Sequence, residues 1–159
     1  MTLFARDGMN QLQLRLCEYP YKIDGVLQPV PQKQTDFVID GKGLGDALGF
    51  EADRPWFGQT AFEYLPNHAG NLIEQLRGLA PADSVFDTGR FSLYRCHCGD
   101  EQCDVISCQI LRDTSTVRWL DVRCEPVGGP PPYSKAIPEF AFDANDYDDV
   151  VLKYAESCK

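Results

Sequence analysis

Three apolar-rich runs, FSLYRCHC (Phe91–Cys98), VISCQILR (Val105–Arg112) and VRWLDVRCE (Val117–Glu125), are separated by GDEQ around Asp100 and Glu101 and by DTST from Asp113 to Thr116. Each run is about one strand long, is rich in β-branched and aromatic residues, and is bounded by turn-forming residues. Residues 90–125 therefore read as a three-stranded antiparallel meander. The rest of the fold is arranged around it.

Upstream, QLQLRLCEY (Gln11–Tyr19) places Leu12, Leu14 and Leu16 on one parity, the alternation of a strand with one buried face. Pro20, Pro29 and Pro31 then predict a loop to Gln34, because proline has no amide proton for a ladder. The chain returns to the sheet at FVID, Phe37–Asp40. In the following GKGLGDALGF, Leu44, Ala47 and Leu48 allow a helix of about two turns among several glycines. A longer helix is predicted over residues 67–79, with Asn67 as N-cap, Leu72, Ile73, Leu76 and Leu79 at helical spacing, and Pro81 as its stop.

Downstream, PVGGPPPYSKAIP (Pro126–Pro138) has the composition of a surface connector. Phe140 and Phe142 alternate as a last short strand. Asp143 then caps a helix over residues 144–157, with Asp146, Asp148 and Asp149 in its early turns. Carboxylates there are stabilised by the helix dipole without a further role. These elements predict an α+β fold with a central antiparallel sheet, in a single domain over residues 1–159. A chain of this length, 43% apolar, can bury a full core.

The composition narrows the function. With 15 Lys and Arg against 24 Asp and Glu, the net charge is −9. That field repels a nucleic-acid backbone and attracts a basic protein, although it serves solubility as well. The N-terminal residues carry no apolar run of signal-peptide type, and no stretch approaches the roughly 18 apolar residues of a span. Seven cysteines, an odd number in a chain with an adequate core, point to reduced thiols and hence to a cytoplasmic protein. G-x-S-x-G, P-loop and H-E-x-x-H motifs are absent, so a non-enzymatic binding role is expected.

One concentrated chemical signal remains. Cys96, Cys98, Cys103 and Cys108, with His97 among them, fall within thirteen residues. Three readings fit: small apolar residues packed in a sheet, a zinc site, or an oxidisable pair across the GDEQ hairpin. The C-x-C-x4-C-x4-C spacing differs from the C-x2-C of common zinc knuckles, and on a strand His97 faces away from its neighbours. The densest aromatic stretch contains Trp56, Phe57, Phe62 and Tyr64, which suits either an interface anchor or core packing.

In order, FVIDGKGLGDALG, a helix, FSLYRCHCGDEQCDVISCQILRD, a strand with Trp119 and FAFDANDYDDVVLKYA resemble a family of small bacterial cytosolic proteins. That family has a Cys-rich turn of the LYxCxxCGxxxCG type and an acidic-capped C-terminal helix. This chain differs from the pattern in having Cys96-His97-Cys98 and, after Cys103, Asp104. By general type the chain also resembles immunity proteins of bacterial toxin systems. The resemblance implies a protein partner, a basic toxin that is usually a nuclease, whose active site the chain occludes. Asp100, Glu101 and Asp104 at the hairpin tip, with Trp56 and Phe57, are the contacts it suggests, and a zinc-stabilised module or a thiol redox protein is the alternative.

Overall fold

The computed structural model describes residues 8–19, 22–47, 60–64, 71–83, 86–95, 105–125 and 137–158. Strand β1 (Leu12–Tyr19) pairs antiparallel along its whole length with β4 (Gln32–Ile39), from Leu12 opposite Ile39 to Tyr19 opposite Gln32. A two-residue turn at Asp40 and Gly41, both at positive φ, returns β4 into the short β5 (Lys42–Gly43). This turn has the backbone hand that suits a tight hairpin. Helix α1 (Leu44–Ala47) follows directly.

Between β1 and β4 lies a small hairpin of β2 (Lys22–Ile23) and β3 (Val26–Leu27), turned at Asp24 and Gly25 in the same left-handed conformation. The segment predicted as a proline-rich loop therefore contains this hairpin and the first three residues of β4, Gln32 to Gln34. Pro29 and Pro31 sit outside the paired residues. The polar run QKQTD hides a strand because Gln34, Thr35 and Asp36 are buried as polar groups. Thr35 Oγ1 lies 2.9 Å from the Tyr154 hydroxyl, and the Tyr94 hydroxyl donates to Asp36 Oδ1 at 2.5 Å.

The predicted meander is present as β6 (Phe91–Arg95), β7 (Val105–Arg112) and β8 (Thr116–Glu125), and β9 (Phe140–Asp143) adds a fourth antiparallel strand beside β8. The sheet anticipated as one central unit is therefore two, ordered β1-β4-β5 and β6-β7-β8-β9. Asn10 joins them. Its amide donates to Ala141 O at 2.7 Å, its side-chain oxygen accepts from Ala141 N, and its Nδ2 donates to Asp40 Oδ2 at 2.6 Å.

Helix α2 (Ala61–Tyr64) is a single turn. Helix α3 (Leu72–Leu76) occupies part of the predicted 67–79 helix, and the expected Asn67 cap lies outside the described residues. Gly78, at φ +75°, ends α3 before Pro81 can. Leu79 N donates to Glu74 O and Gly78 N to Gln75 O, the paired bonds of a Schellman stop. Helix α4 (Ala144–Ser157) has its predicted boundaries, and Asp143 caps it by accepting from Asp146 N at 3.0 Å. Ala144, Tyr147, Val151 and Ala155 form its buried stripe.

A single apolar cluster draws on both sheets and on all four helices. Phe37 sits at its centre, edge-on to Trp119 and Tyr94 with ring centroids 5.4 and 5.5 Å away. Trp119 packs in turn on Phe142 and Tyr147. Its indole N–H donates to the Tyr147 hydroxyl, which donates to Leu76 O at 2.7 Å. Each edge-to-face pair adds about 0.5–1.5 kcal/mol to ordinary burial.

Truncating Phe37 to alanine removes a ring from this junction, and chemical denaturation should show a loss of about 3–5 kcal/mol. Gly78→Ala should cost about 1–3 kcal/mol in the same assay. Its new Cβ would sit at a left-handed φ, 2.9 Å from Arg112 Cβ.

Candidate binding surfaces

Eight of the residues singled out from the sequence, Trp56, Phe57, Cys96, Cys98, Asp100, Glu101, Cys103 and Asp104, lie outside the described residues. The ninth, Cys108, is in β7 opposite Phe91, with no exposed surface, inside the apolar cluster. Burial pushes its thiol well above the ordinary range, outweighing the nearby Arg90 charge. A metal-binding or nucleophilic cysteine needs the thiolate, so Cys108 behaves as a small apolar residue. Among the described residues, no three His, Cys, Asp or Glu side chains are grouped to hold a metal.

The ionic groups near the sheet's bulges serve the fold. Arg90, almost fully buried, donates from Nε to Ser107 Oγ at 3.0 Å, from Nη2 to the carbonyls of Ser107 and Asp121, and from Nη1 to Asp121 Oδ2. Ser107 Oγ donates to the buried Glu125 at 2.7 Å, which lies 3.6 Å from Arg90 Nε. Asp121 has a positive φ where the β7–β8 register shifts, and Arg90 holds that irregularity closed. The sequence signals nothing of this, because Arg90 precedes its strand like any solvated turn residue.

Glu63 is the described carboxylate that most resembles a catalytic acid, since burial raises its pKa. Both its oxygens are engaged, however. Oε1 accepts from Thr35 N, and Oε2 from Thr60 N and Thr60 Oγ1, so it ties α2 to β4.

Of the early acids of α4, Asp148 does more than complement the dipole. It accepts from Arg112 Nη1 and Nη2 at 2.9 and 2.7 Å and from Arg77 Nε at 3.0 Å, and Arg112 Nη1 also donates to Arg77 O. These bonds lock α4 to β7 and to the end of α3. The hydrogen bonds from Arg112 hold the Asp148 pKa down at about 2. Asp146 and Asp149 instead line a groove of about 310 Å³ between α4 and the start of β1, with Asp143 at its end and Lys153 paired to Asp149 at 3.6 Å.

Several large apolar side chains are exposed elsewhere. Among the described residues seven large hydrophobics are exposed, and four of them, Leu16, Val26, Leu27 and Val30, belong to the second half of β1, the β2–β3 hairpin and the run leading into β4. Each is 58–68% exposed. Leu16 was expected on the buried face. It keeps the parity of buried Leu12, but the burial fades along the strand through half-buried Leu14. The D-G pair between Ile23 and Val26 was the available signal for this hairpin.

Comparison with protein-family models, with curated proteins and with solved structures returns no match to this chain. Among the described residues, no helix is long and apolar enough to cross a membrane.

Replacing Asp148 with asparagine should destabilise the protein by about 2 kcal/mol, because two arginines lose a charged acceptor. The pH dependence has a definite sign. The folded pKa of Asp148 is depressed from 3.8 to about 2, so its contribution is complete above pH 4 and is lost as the pH falls toward 2. Denaturation midpoints between pH 5 and pH 2 should fall less steeply in the Asp148→Asn protein than in the unsubstituted one.

Proposed function

We propose that the chain is a non-catalytic binding protein of the immunity type, which neutralises a basic protein toxin, a nuclease, by covering its active site. The observation that carries this reading is the hairpin that exposes Val26 and Leu27, on a chain of net charge −9. The acidic surface accelerates encounter with a cationic partner, and the hairpin supplies apolar area that holds the complex once water is expelled. Asp146 and Asp149 in the groove beside β1, and Asp100, Glu101 and Asp104 in the Cys-rich segment, are the carboxylates proposed to meet the toxin's lysines and arginines.

The test uses the tagged full chain as bait in its source cell. The expected partner is a single basic protein whose growth-inhibiting activity an equimolar amount of the chain suppresses. Capture should weaken in washes at about 1 M salt, where screening shortens to about 3 Å. Leu27→Asp, at a 58% exposed position, should leave the melting temperature unchanged and abolish both capture and suppression. A partner that is not basic, or suppression that survives Leu27→Asp, overturns the reading.

A further inference from the structure

Strand β1 lies at one edge of its sheet, whose order is β1-β4-β5. In an antiparallel ladder, alternate residues turn their backbone N–H and C=O toward the partner strand, and the residues between turn them away. Gln11 faces β4, since its N–H donates to Asp40 Oδ1 and its carbonyl accepts from Asp40 N. Asn10 faces outward, where its N–H donates to Ala141 O of β9. Leu12, Leu14 and Leu16 share the parity of Asn10, so their backbone groups also point outward. There β9 gives out, because Asp143 caps α4 and turns the chain away. Among the described residues nothing hydrogen-bonds to the outward groups of Leu12, Leu14 and Leu16.

Proteins commonly blunt such an edge with a proline, a bulge or a very short strand. β1 has none of these: its eight residues pair in unbroken register, and the first proline is Pro20. The groove of about 310 Å³ runs beside this edge at Leu12, and its far wall is an α4 stripe of Asp146, Asp149, Val150 and Lys153. That stripe is about 10 Å long, the reach of three strand residues. Leu12 opposite Ile39 and Leu14 opposite Phe37 turn this parity of β1 toward the core and α4, so an added strand would present alternate side chains to α4.

The charges there are mostly negative. Asp146 makes no side-chain hydrogen bond or ion pair among the described residues, Asp149 lies 3.6 Å from Lys153, and Asp143 is spent on the cap. On β1 itself, Arg15 belongs to the opposite face and Glu18 lies 3.6 Å from Lys33. A second copy would bring its own charge of −9 to this groove, whereas a basic segment is attracted to it.

We propose that the outer edge of β1 binds an extended basic segment by strand addition, its backbone paired with Leu12, Leu14 and Leu16 and its alternate lysines or arginines on Asp146 and Asp149. The inference rests on the basic-partner reading above and adds how that partner is held.

The test is amide hydrogen exchange of the isotope-labelled full chain, read by NMR, with a capped pentapeptide of alternating lysine and valine as probe. Exchange at Leu12, Leu14 and Leu16 should slow about tenfold or more. N-methylating one alternate set of the peptide's amides should abolish this and methylating the other should not, because only one set faces β1. Leu16→Pro removes an outward N–H that the β4 ladder does not use, at a 60% exposed position, and should abolish binding. Asp146→Asn with Asp149→Asn should weaken it about threefold or more. No protection by the peptide, equal protection by an alternating glutamate–valine peptide, or protection by both methylated forms overturns the proposal. So does protection that rises with protein concentration in the absence of peptide, which a second copy on the edge would cause. Capture of a basic toxin that survives Leu16→Pro overturns it too, and leaves the toxin-binding reading standing. Peptide protection in a chain that captures no basic toxin supports the edge site and removes that reading instead.

Discussion

The edge-on contact of Phe37 with Trp119 and Tyr94 is the constraint on which the rest of the structure depends. It brings the middle of β4 against the middle of the four-stranded sheet and makes one core from two sheets that share no continuous ladder. Once that contact is made, Asn10 can bridge from β1 to β9 and α4 can lie across β1, β8 and β9. The aromatic chain from Phe37 through Trp119 to Phe142 and Tyr147 carries the same packing to α4. Its polar tips are satisfied through the Trp119–Tyr147–Leu76 relay. An aromatic core of this type is stable only if such tips find partners, since an unmade buried hydrogen bond costs about 1–3 kcal/mol.

Polar groups inside the protein act mostly as ties between elements. Arg90 and Glu125 close the irregular β7–β8 ladder of the four-stranded sheet, Glu63 binds α2 to β4, and Asp148 clamps α4 to β7 and α3. Each joins segments distant in sequence, and each is directional where apolar contacts are not. A buried ion pair of this sort adds little net stability compared with an apolar replacement, but removing one partner strands the other. Such ties make the surface geometry definite.

Elements with strong local signals were legible from the chain. The alternation in Leu12–Leu16, the meander of residues 90–125, and the Asp143 cap with the helix it opens over residues 144–157 all correspond to observed strands and a helix. The acidic run after that cap was only half read. Dipole compensation accounts for Asp146, but nothing local to Asp148 indicates that Arg77 and Arg112 converge on it. The QKQTD half of β4 was missed for the same reason, because Gln34, Thr35 and Asp36 look solvated until Tyr154 and Tyr94 arrive from elsewhere in the chain.

The sequence by itself determined the class of fold, the acidity and the strands of the meander, because periodicity, charge and turn chemistry act over a few residues. Only the tertiary structure decided that Cys108 is core, that Leu16 and the Val26–Leu27 hairpin are surface, and that Asp148 is a clamp. Burial and pairing belong to contacts across long stretches of chain. A thiol, a leucine or a carboxylate takes its role from the neighbours that those contacts bring to it.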